Sequence, residues 1–121
     1  MLQQKQTTDL LNDFDLFERF QILLQEHFVE YAFADLFADK LSVSQKKLNT
    51  VTKKITGKTA CQLVEEKLVS EAILLFKTKM TIKQIAFELG YEDQYYFSRI
   101  FKKHTGHSPK HFRNILKMGE K

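Results

Sequence analysis

The 121-residue sequence contains no tryptophan, one cysteine, one proline and four glycines. So few turn residues leave little room for an all-β fold with many reversals. The lone Cys61 excludes an internal disulfide framework and fits a reducing compartment. There is no apolar run of about 18 residues to span a membrane. The amino terminus, MLQQKQTTDLL, lacks the basic start and apolar block of a secretion signal. A soluble, cytoplasmic protein is expected, and with 43% hydrophobic residues and eleven phenylalanines it has enough apolar material for one domain or two small lobes.

Acidic residues are also missing from two long stretches. Between Asp39 and Glu65 the charged residues are Lys40, Lys46, Lys47, Lys53, Lys54 and Lys58. Between Asp93 and Glu120 they are Arg99, Lys102, Lys103, Lys110, Arg113 and Lys117. Twelve of the 19 basic side chains therefore sit in two acid-free segments, and all 15 acids lie outside them, beneath a modest net charge of +4. Within these segments TKKITGKT at 52–59 returns as FKKHTGHS at 101–108. A duplicated basic surface on an acidic body suits a repetitive polyanion such as duplex DNA.

The apolar spacing predicts helices nearly throughout. Residues 1–12 read as a polar linker or tail. Phe17, Phe20, Leu24 and Phe28 recur on one face of a first helix from about Asp13, and Phe33, Phe37 and Leu41 mark a short second one. Ser44 is the expected N-cap of a third helix that buries Leu48, Val51 and Ile55 and stops at Gly57. Thr59 with Gln62, and Thr81 with Gln84, form capping boxes opening a helix to about Lys77 and a short one ending at Gly90. Asp93 caps a sixth helix through His104, and Ser108 with Pro109 starts the last. The expected fold class is all-α: seven helices without strands.

The repeat extends beyond the lysines. Phe37, Ala38 and Leu41 match Ile85, Ala86 and Leu89 at an offset of 48, whereas Leu48, Val51 and Gly57 match Phe97, Ile100 and Gly106 at 49. One residue has thus been added to the second turn. Each copy is a short helix, a tight turn and a longer basic helix, the pattern of a helix-turn-helix whose second helix enters the major groove. The expected organisation is a first lobe at 13–58, a linking helix at 59–77 and a second lobe at 78–121.

The run IAFELGYEDQYYFSRIFKKHTGHSPKHFR, Ile85 to Arg113, closely resembles the signature of the AraC/XylS family of bacterial transcription regulators, and FADKLSVSQKKLNTVTKKITGKT resembles that family's first helix-turn-helix. The resemblance covers roughly residues 14–118. It implies two homeodomain-like lobes that insert recognition helices into successive major grooves of double-stranded DNA, and regulation of transcription, activation included. Carried over by position, Gln45, Lys46, Asn49 and Thr50 in the first lobe, and Gln94, Tyr95, Ser98 and Arg99 in the second, would face base edges. Arg can fork onto guanine, and Gln or Asn onto adenine. Ser44, Lys53, Lys54, Lys58, Lys102, Lys103 and Lys110 are expected at phosphates. Two departures stand out: Thr50 occupies a position where many relatives carry Arg, and Thr52 one where a large apolar residue is usual. The second lobe is therefore expected to carry most of the specificity.

Other readings are weaker. His104, His107 and His111 fall close together, but Gly106 and Pro109 interrupt any common helical face, so no metal or cofactor is expected. No glycine-rich phosphate loop or nucleophile and base pair points to an enzyme. The alternatives are a helical adaptor that binds an acidic protein, or a non-specific nucleic-acid-binding module. RNA polymerase is the expected protein partner, with an effector or dimerisation domain upstream if the chain is part of a longer regulator. On its own the chain is expected to be monomeric, since two lobes already give two contacts, and associated with the nucleoid.

Overall fold

The computed structural model describes residues 2–29 and 34–119, with side chains described at 11–29 and 36–119. These residues form seven helices and no strand: α1 (Leu2–His27), α2 (Ala34–Lys40), α3 (Gln45–Thr56), α4 (Ala60–Leu75), α5 (Ile82–Glu88), α6 (Gln94–Thr105) and α7 (Pro109–Gly119). The expected all-α architecture is what the chain adopts. Phe33, expected to open the second helix, lies outside the described residues.

The largest difference from the sequence reading is the start of α1. That helix was expected near Asp13, with 1–12 left as a tail, yet it begins at Leu2 and runs for 26 residues. No glycine or proline interrupts this segment, which is rich in Leu, Gln, Glu and Asp. Once a helix is nucleated, each added residue gains a hydrogen bond, so a run without a breaker propagates.

Helix boundaries elsewhere follow side-chain capping. Ser44 Oγ accepts the N–H of Lys47 at 3.0 Å to open α3. Asp93 Oδ1 accepts the N–H of Tyr95 at 2.8 Å to open α6. Both capping boxes are formed. Gln62 Oε1 accepts the Thr59 N–H at 2.9 Å while Thr59 Oγ1 accepts the Gln62 N–H at 3.1 Å. Thr81 and Gln84 exchange the same pair at 2.8 and 3.1 Å. Each such cap satisfies a donor that the helix itself leaves unpaired, and is worth about 1 kcal/mol.

The chain divides into two compact units, Met1–Val64 and Glu65–Lys121, with the division inside α4. In the first, α1 closes the core beneath α2 and α3. Phe20 meets Phe37 edge-to-face at 5.5 Å between ring centres, and Leu16, Phe17, Leu41, Leu48 and Val51 are buried around them. In the second, the Phe101 ring lies 5.3 Å from those of both Phe76 and Phe112 and 5.9 Å from Phe97, and Ile85, Leu89 and Ile100 complete the core. Thr52, the counterpart of Phe101, is fully buried as well, and its hydroxyl donates to the Asn49 carbonyl at 3.2 Å. A buried hydroxyl must be paired, and this one is.

Candidate nucleic-acid interface

Two turns set the recognition helices, and they are superimposable in their hydrogen bonding. In the first, the N–H groups of Leu41, Ser42 and Val43 donate to the carbonyls of Phe37, Asp39 and Ala38 at 3.0, 3.1 and 3.1 Å. In the second, those of Leu89, Gly90 and Tyr91 donate to Ile85, Phe87 and Ala86 at 3.0, 3.0 and 2.9 Å. The turn residue in each takes a positive φ, 58° at Ser42 and 90° at Gly90. This closure satisfies the last carbonyls of the first helix and reverses the chain toward the second. It needs a left-handed residue, which Gly supplies freely and Ser only at a cost.

The far ends of α3 and α6 match as closely. Gly57 and Gly106, at φ 81° and 83°, each donate an N–H to the carbonyl four residues back, Lys53 and Lys102, at 2.8 Å. Before them, the hydroxyls of Thr56 and Thr105 donate to Thr52 O at 2.7 Å and Phe101 O at 2.9 Å, and accept the N–H groups of Lys58 and His107 at 3.0 and 3.2 Å. The threonine of the repeated Lys-Lys-x-Thr-Gly element is therefore part of a helix stop. Its recurrence at the same offset was the available sign of this role.

Within the Lys-Lys pair the two residues part company. Lys54 Nζ donates to Asp13 Oδ2 at 3.1 Å, joined on the other carboxylate oxygen by Lys47 at 3.4 Å. Lys103 Nζ lies 3.4 Å from Glu65 Oε1, which His104 Nε2 also meets at 2.8 Å. The second lysine of each pair is thus tied to an acid of the helix behind it while staying exposed to solvent, and Lys53 and Lys102 are exposed as well. Burial pushes the Asp13 carboxyl up, but hydrogen bonds and charge from Lys54 and Lys47 outweigh it and hold the group below the ordinary carboxylate range.

The expected base readers fall into different situations. Gln45 and Lys46 are exposed in the first turn of α3, and Tyr95 is 72% exposed in that of α6. Gln94 and Ser98 are half-buried, and Arg99 is exposed with its guanidinium 5.7 Å from the centre of the Tyr96 ring. Thr50 spends its hydroxyl on the Lys46 carbonyl at 2.9 Å. Asn49 is half-buried, and its Oδ1 accepts the N–H of Ala60 at 3.0 Å. Among the expected phosphate contacts, Ser44 caps α3 as described, and Lys58 and Lys110 are exposed beside the starts of α4 and α7.

Sequence reasoning did not single out the acids Asp13 and Glu65, or Tyr96 as a support for Arg99. It also left Arg113 as one more cation of a basic stretch. Arg113 donates from Nε to Phe76 O at 3.2 Å and from Nη2 to Thr78 O at 2.7 Å, so it closes the chain beyond α4. The histidines are dispersed in role: His104 pairs with Glu65, and the His107 and His111 rings lie 5.0 Å apart. Among the described residues no group of three His, Cys, Asp or Glu side chains is placed to hold a metal ion, and no helix is long and apolar enough to cross a membrane.

Comparison with known proteins bears on the whole arrangement. A helix-turn-helix domain family matches residues 37–115. The chain is 36% identical over 77 residues to the arabinose operon regulatory protein of Salmonella typhimurium, a stretch covering 63% of this chain and 27% of that protein. It spans about a quarter of the length of the curated relatives it matches. The C-terminal domain of the two-component response regulator yesN from Fusobacterium nucleatum superimposes with a TM-score of 0.73 at 28% identity, over 82% of this chain and 98% of that one. The DNA-binding domain of AdpA, solved in complex with a target DNA, shares the fold with a TM-score of 0.72 at 17% identity, over 85% of this chain and 93% of that one. The matched segment takes in both turns and both recognition helices, and the chain belongs to the AraC/XylS type of helix-turn-helix family.

Proposed function

We propose that this chain binds double-stranded DNA sequence-specifically and regulates bacterial transcription, with α3 and α6 entering successive major grooves. The observation that carries this reading is the paired helix-turn-helix, hydrogen bond for hydrogen bond, with an exposed basic second helix in each copy. Membership of a family that includes the arabinose operon regulatory protein supports the regulatory part. Gln45 and Lys46 read base edges from α3, and Gln94, Tyr95, Ser98 and Arg99 from α6. Lys53, Lys58, Lys102 and Lys110 meet phosphates, with Ser44 donating its hydroxyl hydrogen to one while it caps α3. Lys54 and Lys103, placed at phosphates by the sequence, act first as ties to Asp13 and Glu65.

The chain works as a binding module rather than an enzyme, in the cytoplasm with the nucleoid. RNA polymerase is its partner at promoters, the chain acts either as a stand-alone regulator or, with an effector or dimerisation domain upstream, as part of a longer one, and the chain alone binds as a monomer. Selection of duplexes from a random pool tests the reading. Specific regulators prefer their sites by at least about a thousandfold over random duplex. Recovery of no preferred sequence would leave a non-specific module or a protein adaptor in its place.

A further inference from the structure

The two recognition helices differ in one coupled pair of positions, 49 with 60 and 98 with 109, each at the repeat offset. Asn49 Oδ1 accepts the N–H of Ala60, the first residue of α4, at 3.0 Å. That N–H belongs to the set a helix cannot satisfy internally. Ala60 is also fully buried, out of reach of water, so the group needs a protein partner. In the second lobe the equivalent residue is Pro109, likewise buried, which has no N–H to satisfy. The equivalent of Asn49 there is Ser98, so the lobe that lost the donor carries no amide acceptor opposite it.

We infer that Asn49 is a positioning residue that fixes α3 against the start of α4, and that it does not read a base. This rests on the DNA-binding reading above. An asparagine reads adenine with Oδ1 and Nδ2 at once, accepting from N6 and donating to N7. Here Oδ1 is held by Ala60, and turning the amide toward a groove would strand a buried N–H. Thr50 likewise spends its hydroxyl within α3, on the Lys46 carbonyl. Recognition by the first lobe then falls to Gln45 and Lys46, one turn earlier, whereas Ser98 in the second lobe is released to face DNA. The asymmetry between the lobes follows from whether the next helix begins with an alanine or a proline.

The test is duplex selection from a random pool with the full chain, together with a thermal double-mutant cycle. For Asn49→Ala the expected result is the wild-type consensus at every position, with affinity for all duplexes lowered by roughly threefold to tenfold, the scale of one lost cap. In an Ala60→Pro background, which removes the donor, Asn49→Ala should shift the melting temperature less than it does in the wild type. Asn49→Asp keeps the acceptor and cannot donate to N7, so it should retain both melting temperature and consensus, and it serves if the alanine variant does not fold. Relaxation of a single base position in either Asn49 variant, unchanged affinity with an unchanged consensus in Asn49→Ala, or equal melting losses in both backgrounds would overturn the inference. If the wild type itself selects no sequence, the DNA-binding reading fails, while the thermal cycle still reports on the tie between Asn49 and Ala60.

Discussion

Lys54 on α3 donates to Asp13 on α1 at 3.1 Å, and the pair has its counterpart in the second lobe, where Lys103 on α6 lies 3.4 Å from Glu65 on α4. One lysine of each Lys-Lys pair is thereby paired with an acid of its own lobe while remaining exposed to solvent. The cations of each lobe therefore have separable roles.

Salt dependence of DNA binding separates them. Replacing Lys53 or Lys102 with alanine should weaken binding to every sequence and flatten the plot of log affinity against log salt by about 0.9, the loss of one phosphate contact. Lys54→Ala and Lys103→Ala should leave that slope unchanged and lower stability by a few tenths to about 1 kcal/mol, as expected for partly exposed ion pairs. Flattening of equal size in all four variants would show that the Lys54–Asp13 and Lys103–Glu65 pairs open on DNA.

Asp13→Asn removes the acid that holds both Lys54 and Lys47. Because the native carboxyl titrates below its ordinary value, its contribution is present above the unfolded-state value and is lost as pH falls through the lowered native one. At neutral pH the substitution should cost about 1 kcal/mol or more, and the difference from wild type should close in acid, as read from urea midpoints at several pH values. Its effect on DNA runs the other way. With Lys47 and Lys54 released, the salt slope should steepen by about 1 or more.

Arg99 is held over the ring of Tyr96, which limits where its guanidinium can go. Arg99→Ala should cost about 1–3 kcal/mol of binding on the preferred site and relax one base position. Arg99→Lys should recover little of the discrimination, because an ammonium cannot form the planar fork. Equal losses on cognate and random duplexes would make Arg99 a backbone contact instead.

The two positive-φ turn residues predict substitutions of opposite sign. At Ser42 a glycine should relieve a strain of about 1–2 kcal/mol while adding about 0.4–1 kcal/mol of unfolded-state freedom, a small net gain in stability. At Gly90 an alanine should destabilise by a similar net amount. Thermal midpoints decide both. A destabilised Ser42→Gly would mean that the serine side chain contributes something beyond its φ.

Much of the fold was legible because its punctuation is local. Ser44, Asp93, the two capping boxes, Gly57 and Gly106 act on groups two to four residues away, so a single sequence carries both partners. The ties that shape the site are not local. Asp13 meets Lys54 across 41 positions, Arg113 meets Phe76 across 37, and Asn49 meets Ala60 across 11. Composition and period contain no trace of such pairings. One clue was available all the same. Adjacent residues on a helix point about 100° apart, so Lys53 and Lys54 could not both lie squarely on one face. The start of α1 was missed for a different reason: between Leu2 and Asp13 no apolar stripe at helical spacing marks a buried face, although Leu, Gln and Lys are good helix formers and nothing there stops a helix.

The coupling of residue 49 to residue 60, and of 98 to 109, bears on how such a chain can be re-engineered. A recognition helix transplanted from the second lobe into the first would bring a serine to position 49 and face it with an alanine whose N–H nothing else covers. The graft would fail at the joint, whatever its quality as a reader. The exchangeable module is the helix together with the first residue of the helix that follows, so chimeras should be cut after position 60 or 109, beyond the glycine that the repeat alone marks as the seam.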